Sequence, residues 1–147
     1  MGAHKEFRVA VTKDNLVFAS AHFITFPGHR CEKLHGHNYR TRVVVEGGLD
    51  PEAHYVLDFS MLKDLMKRLT DEIDVSVAVA GKPRYVFPRI DCALLPVPNT
   101  TVEMLAQYLA GRVCKELASS GAVALRAVEV EVEENFGQSA TYRESLG

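Results

Sequence analysis

The segment His35-Gly36-His37 begins a run of alternating residues that constrains this chain more than any other feature. Side chains alternate between the two faces of a β-strand, so these two histidines share a face with Cα atoms about 7 Å apart. From that spacing, two imidazoles can converge on one ion. The alternation continues to about residue 46, which predicts a strand. The later members of the histidine face are Tyr39, Thr41, Val43 and Val45.

A zinc site that keeps an open coordination position needs a third protein ligand. His22 follows the apolar residues 16–21 and is the best candidate, although a lone histidine at a strand end is more often an ordinary polar residue. Cys31 lies four residues before His35. Near a metal ion its thiol can act as base or nucleophile, and it can also close a structural site as a fourth ligand. We predict a Zn²⁺ site at His22, His35 and His37, with both roles of Cys31 open.

Composition limits the class of protein. A chain of 147 residues suits one domain, which we expect to span residues 1–147. The net charge of −2, without a cluster of lysine and arginine, disfavours a nucleic-acid partner. No apolar run approaches the roughly 18 residues that a membrane span requires. The three cysteines are odd in number and widely spaced, which favours a reducing cytoplasm, with Cys92 and Cys114 packed in the core.

Hydrophobic periodicity predicts the remaining elements. Strands are expected at residues 7–11 and 16–22, separated by a turn or bulge at Asp14-Asn15. An amphipathic helix is expected at residues 61–73, with Ser60 as its N-cap. A second helix should start at the capping box of residues 100–103 and stop at residues 119–121.

A long connection of residues 75–99 separates the two predicted helices, and its residues 84–87 could form a short strand pair. Residues 128–133 and 139–143 are predicted as a final pair of strands. The order is strands, two helices, strands. This order favours an α+β fold, with one sheet and a helix pair on one face.

One carboxylate stands out by its parity. Glu129, Glu131 and Glu133 alternate onto one face, which is most simply solvated, whereas Glu134 falls on the face of the intervening valines. An acidic residue at the end of an apolar row needs a partner, because burying it unpaired is costly. A ligand with adjacent N–H donors is one such partner. The alternative is that the strand ends before Glu134 and leaves its side chain exposed.

Together these residues resemble one known family over about residues 6–143. The matching segments are His22, Cys31-x-x-x-His35-Gly36-His37-Asn38-Tyr39, Asp58-Phe59, Thr101-Val102-Glu103 and the stretch from Glu134 to Tyr142. They look like the 6-pyruvoyltetrahydropterin synthase and 6-carboxytetrahydropterin synthase family. The Cys-x-x-x-His-Gly-His core is the specific part of the likeness.

The resemblance implies a T-fold, which is a four-stranded antiparallel sheet with two helices between its second and third strands. It implies trimers or hexamers with active sites between subunits. It also implies a zinc-dependent lyase that converts 7,8-dihydroneopterin triphosphate, or a close dihydropterin, to 6-carboxy- or 6-pyruvoyl-tetrahydropterin. The implied roles are zinc ligation for the three histidines His22, His35 and His37, catalysis for Cys31 and Asp74, and substrate binding for Glu134 and Thr101.

The chain departs from the family at one place. The family follows its first helix with an Asp-His pair that works with the cysteine, and the matching residues here are Asp74-Val75. All six histidines lie within the first 54 residues, so a replacement must come from elsewhere, and His29 or His54 could supply it. This departure keeps a second reading open. The chain could be a zinc-containing pterin or purine binder that lacks the family reaction.

Overall fold

The computed structural model describes residues 5–22, 35–74, 76–80, 92–121, 124–135 and 137–146. Seven strands and two helices occur in this part of the chain. In chain order they are β1 (Phe7–Val11), β2 (Val17–His22), β3 (His35–Gly47), α1 (Phe59–Asp71), β4 (Ser76–Ala80), β5 (Cys92–Leu95), α2 (Val102–Ser119), β6 (Leu125–Glu134) and β7 (Ser139–Ser145). Neither of the two described helices is long and apolar enough to cross a bilayer.

The sheet is organised around β3, which has antiparallel neighbours on both edges. β6 pairs with one edge and is followed by β7, while β1 and β2 pair with successive parts of the other edge. The predicted turn at Asp14-Asn15 divides β1 from β2, and Leu16 N–H donates to Lys13 O within it. β1 and β2 therefore act as one interrupted strand. The predicted α+β T-fold, with four antiparallel strands and two helices between the second and third, is confirmed.

Two further strands extend this sheet beyond the predicted four. β4 runs parallel to β2, and β5 runs parallel to β4, so the order is β5-β4-β2-β3-β6-β7. Both lie in the segment that we interpreted as a connection, because runs of five and four residues give too short an alternation to stand out. The strand pair predicted at residues 84–87 lies outside the described residues.

The core lies between the helices and one face of the sheet. β3 and β6 contribute the valines of one parity, and each helix contributes a leucine-rich stripe, as the periodicity predicted. Burying one such side chain contributes about 1.5–3 kcal/mol. The residues of this layer with no measurable exposure are Leu16, Val43, Val45, Leu62, Met66, Leu105, Ala106, Leu109, Ala110, Val113, Val128, Val130 and Val132.

Both helix starts differ slightly from the prediction. Asp58, and not Ser60, caps α1, because its carboxylate accepts a hydrogen bond from Ser60 N at 2.8 Å. α2 is capped by Thr101, whose hydroxyl accepts from Met104 N at 3.3 Å. The N-cap therefore lies one residue later than the capping box of residues 100–103 predicts, and Met104, not Glu103, occupies the third helical position. Aspartate, serine and threonine are all good N-caps. Asp58 therefore competes with Ser60, and Thr101 with Thr100, for the same role.

The helix-free face of the sheet carries paired charges and is not simply solvated as we predicted. Glu129 and Glu46 have side chains only 15% and 12% exposed, and each contacts both Arg8 and Arg143 at 2.7–3.2 Å. The hydrogen bond from Arg143 is the main cause that lowers the pKa of Glu46. Cys114 lies on the opposite, helix-covered side, where burial raises the pKa of its thiol to about 12, and its predicted place in the core is confirmed.

Candidate metal centre and active site

The three predicted histidine ligands meet at the ends of β2 and β3. In the antiparallel register His22 lies opposite His35, and Ser20 lies opposite His37. Residues opposite each other point to the same face, and so do residues two apart. One ring nitrogen from each histidine lies within 4.8 Å of the other two. The structure therefore brings His22, His35 and His37 into an arrangement that could hold a metal ion.

The hydrogen bonding of His22 prepares it to bind a metal. Its Nδ1 lies 2.8 Å from Thr100 O, and a carbonyl oxygen only accepts, so Nδ1 carries the proton. The proton-free nitrogen is then Nε2, which is buried and has no hydrogen-bond partner among the described residues. A buried polar atom without a partner costs free energy. A metal ion at Nε2 would satisfy it, and the Thr100 carbonyl is the usual kind of partner for a metal-binding imidazole.

Burial also favours the neutral form of His22. Desolvation is the main cause that lowers the pKa of His22, and the nearby His35 and His37 lower it further. Neutral imidazole is the form that binds metal. Three nitrogen ligands are typical of catalytic zinc, so the donor set fits Zn²⁺.

Tyr39 lies beneath the histidines and supports them. It is 1% exposed, and its ring stacks on Phe18 with the centroids 4.6 Å apart. The rings of His22 and His37 meet it edge-on at 6.1 and 5.7 Å. The Tyr39 hydroxyl is also 3.4 Å from His22 Nδ1. The parity of Tyr39 with His35 and His37 was visible in the sequence, although we did not assign the residue to the site.

Glu134 lies on the histidine face, at the last position of β6. The strand includes Glu134 opposite Tyr39, so the alternative in which the strand ends earlier is wrong. Its Oε1 is 3.4 Å from His37 Nε2, and its side chain is 20% exposed. The hairpin that follows has positive φ angles at Asn135 (55°) and Gly137 (87°), and Glu134 N–H donates to Gln138 O across it. A partly open carboxylate beside the metal centre can accept hydrogen bonds from a ligand.

Two other predicted residues already have structural contacts. The hydroxyl of Thr101 caps α2, next in sequence to the carbonyl that binds His22. The carboxylate of Asp74 accepts a hydrogen bond from Ala19 N at 2.8 Å and borders a cavity of about 570 Å³. Asp74 therefore links the segment after α1 to β2. The link is at Ala19, three residues before His22.

Of the remaining predicted catalytic groups, only His54 lies within the described residues. Cys31 and His29 lie outside the described residues, as does Val75. His54 is exposed and lies before α1, where its N–H donates to Asp50 O. Sequence reasoning also missed the Thr100 carbonyl, because a backbone atom leaves no signal in residue type.

Comparison with solved structures places the fold among the T-fold tetrahydropterin synthases. The 6-pyruvoyl tetrahydropterin synthase of Plasmodium vivax superposes with a TM-score of 0.86 and 25% identity, over 97% of this chain and all of that one. The Plasmodium falciparum 6-pyruvoyl tetrahydropterin synthase gives the same values. The Caenorhabditis elegans enzyme of the same name, at 21% identity and a TM-score of 0.67, supports the fold alone.

The sequence matches the 6-pyruvoyl tetrahydropterin synthase family over residues 10–145, and the chain belongs to that family. A putative 6-carboxy-5,6,7,8-tetrahydropterin synthase of Methanocaldococcus jannaschii is 31% identical, covering 89% of this chain and 91% of the relative. The 6-carboxy-5,6,7,8-tetrahydropterin synthase of Aquifex aeolicus is 28% identical, covering 91% and 90%. The family to which this chain belongs is one of pterin-forming enzymes.

Proposed function

We propose that this protein is a zinc-dependent lyase that acts on 7,8-dihydroneopterin triphosphate or a close dihydropterin. The product is 6-carboxy- or 6-pyruvoyl-tetrahydropterin. One observation carries the proposal: a buried imidazole nitrogen of His22 lacks a partner, and two further histidines converge on it. The 6-carboxytetrahydropterin synthase names of the archaeal and bacterial relatives favour the carboxy product.

Zn²⁺ bound by His22, His35 and His37 would polarise side-chain oxygens of the substrate and so make the adjacent carbons more acidic. Cys31 has the role of moving those protons, since it lies four residues before His35 and a thiolate forms more easily beside a metal ion. Asp74 is the second candidate for proton transfer.

Substrate orientation is assigned to Glu134 and Thr101. The Glu134 carboxylate lies on the metal face and is partly open, which suits charge-assisted hydrogen bonds to the N–H edge of a pterin ring. Thr101 lies at the N-terminus of α2, and its hydroxyl keeps its proton available for a ligand while it accepts from Met104 N.

A homo-oligomer, trimeric or hexameric, completes the proposal. The helices cover one face of the sheet. The opposite face carries the ion pairs among Arg8, Glu46, Glu129 and Arg143. The outer edge of β7 has no partner strand in the described chain, and ring assembly would pair such an edge. Light scattering at micromolar concentration should give a multiple of the chain mass, and a monodisperse monomer would contradict this part of the proposal.

The reaction is tested by incubating zinc-loaded protein with 7,8-dihydroneopterin triphosphate. Mass spectrometry follows the pterin products and any acetaldehyde released. Formation of 6-carboxytetrahydropterin with acetaldehyde supports the carboxy reaction, and 6-pyruvoyltetrahydropterin supports the other. His37→Ala is the matched control, since it removes one metal ligand from a partly exposed position. Product formation by this variant at the wild-type rate would refute the metal assignment.

A second candidate function is a zinc-containing pterin or purine binder without the family reaction. Two observations favour it: Val75 stands where the family has histidine, and the Asp74 carboxylate is engaged by Ala19 N. Val75→His distinguishes the two functions. If the lyase lacks only this group, the variant should turn over faster than the wild type. Tight pterin binding without turnover in both proteins would establish the binder.

A further inference from the structure

The N-terminus of α2 and the metal centre are joined by a single peptide group. Thr100 is 1% exposed, and its carbonyl accepts from His22 Nδ1 at 2.8 Å. The nitrogen of that peptide group belongs to Thr101, the N-cap of α2. The atom that orients a predicted metal ligand and the residue that begins the helix are therefore covalent neighbours.

Hydrogen bonds of the flanking groups restrict this peptide group on both sides. Thr100 N–H donates to Asn99 Oδ1 at 3.1 Å, on the side away from the helix. On the helix side, the Thr101 hydroxyl accepts from Met104 N at 3.3 Å, and Thr101 O accepts from Leu105 N at 2.9 Å. Loss of the hydroxyl cap would allow the first turn of α2 to fray, because an N-cap satisfies an amide that the helix itself leaves unpaired. The direction of the Thr100 carbonyl depends on that turn.

We infer that Thr101 is a positioning residue of the metal centre, acting through the Thr100 carbonyl on the tautomer and orientation of His22. The inference rests on the proposed function, since it needs the three histidines to bind a metal ion. This role is compatible with the proposed binding of substrate by Thr101. A hydroxyl has one donor and two acceptor positions, so it can cap α2 and donate to a substrate at the same time.

This coupling has a consequence for binding. A ligand that orders the first turn of α2 also fixes the Thr100 carbonyl, and so favours the metal-binding orientation of His22. Coupling between two sites is reciprocal, so a bound metal ion should strengthen the binding of that ligand by the same factor. Substrate and metal then support each other without touching the same side chain.

Three variants test the inference by metal binding alone. Thr101→Val keeps the shape and loses the hydroxyl, and Thr101→Ser restores the hydroxyl. Ser120→Ala is the control, because the Ser120 hydroxyl donates to Leu117 O at the far end of the same helix. Zn²⁺ affinity is measured by competition with a chromophoric chelator, and the ligand field by the visible spectrum of the Co²⁺ form.

We expect Thr101→Val to bind Zn²⁺ about 10-fold more weakly, as changes to the partners of metal ligands commonly do. Its Co²⁺ spectrum should also be altered. Thr101→Ser and Ser120→Ala should match the wild type on both measures. Asn99→Ala removes the side-chain hydrogen bond to Thr100 N–H, in the preceding peptide group, and should weaken binding in the same direction. It provides a second variant if Thr101→Val folds poorly.

Wild-type affinity and spectrum in both Thr101→Val and Asn99→Ala would overturn the inference while leaving the zinc site intact. Equal weakening by Thr101→Val and Ser120→Ala would overturn it too, because general loss of helix stability would then be the cause. A wild-type protein that binds neither Zn²⁺ nor Co²⁺ would refute the proposed function first, and this inference with it.

Discussion

Replacing His22 by alanine should destabilise the metal-free protein more than replacing His37, although each change removes one predicted ligand. His22 is 1% exposed and donates to Thr100 O. Its removal loses one hydrogen bond, about 1 kcal/mol, and leaves a cavity in a packed region, but it also removes the buried Nε2 that lacks a partner without metal. The expected net cost is about 1–2 kcal/mol. His37 is partly exposed, and its contact with Glu134 is 3.4 Å long. Its replacement should cost about 0–1 kcal/mol.

Without metal, His37→Ala should unfold with nearly the same free energy as the wild type, and zinc should separate the two. A metal ion that binds only the folded state adds about 2.7 kcal/mol when its free concentration is 100 times its dissociation constant. The wild type should gain this increment, and both variants should lose most of it. The assay is urea unfolding of chelator-treated and zinc-loaded protein at one fixed protein concentration. Equal costs for the two variants without metal would refute the hydrogen-bond argument, and an undiminished zinc increment in both would refute the ligand assignment.

Three further predictions concern single carboxylates and the cysteine. Glu134→Gln should weaken pterin binding far more than Glu133→Gln, measured by calorimetry, because only Glu134 shares the histidine face; equal losses would contradict the assignment by parity. Cys31→Ala should abolish turnover and keep stoichiometric zinc by elemental analysis, whereas loss of metal would make Cys31 a fourth ligand. The hydrogen bond from Arg143 lowers the pKa of Glu46 below its ordinary value of 4.5. This pair therefore stabilises the fold fully at pH values above 4.5, and the stabilisation is lost as the pH falls through the lowered pKa. Glu46→Gln should therefore flatten the acid limb of a plot of melting temperature against pH, and an unchanged slope would count against the ion pair.

The sequence predicted the parts of the fold that depend on the regular spacing of apolar side chains along a strand or helix. The valines of β6 and the leucines of α2 repeat over enough residues for the period to identify strand or helix and the buried face. The same alternation placed His35 and His37 on one face and Glu134 on the valine side. The pairing of β2 with β3 then placed His22 opposite His35.

Features set by single local contacts were not predictable in the same way. The caps moved to Asp58 and Thr101 because neighbouring polar residues are chemically equivalent candidates for a cap, and backbone geometry decides between them. β4 and β5 are too short for their pattern to be distinctive. The engagement of Asp74 by Ala19 N, and of His22 by the Thr100 carbonyl, involves main-chain atoms that every residue has.

The hairpin after Glu134 determines how this site can be re-engineered. Asn135 and Gly137 occupy left-handed backbone angles, where asparagine and glycine are favoured and β-branched residues are strained. The position of the ring-binding carboxylate is therefore held partly by two residues that need not touch a substrate. A mutant library aimed at new pterin analogues should conserve both and randomise the exposed Gln138, whose backbone oxygen alone is needed by Glu134. In a selection for activity, valine and isoleucine should be depleted at residues 135 and 137.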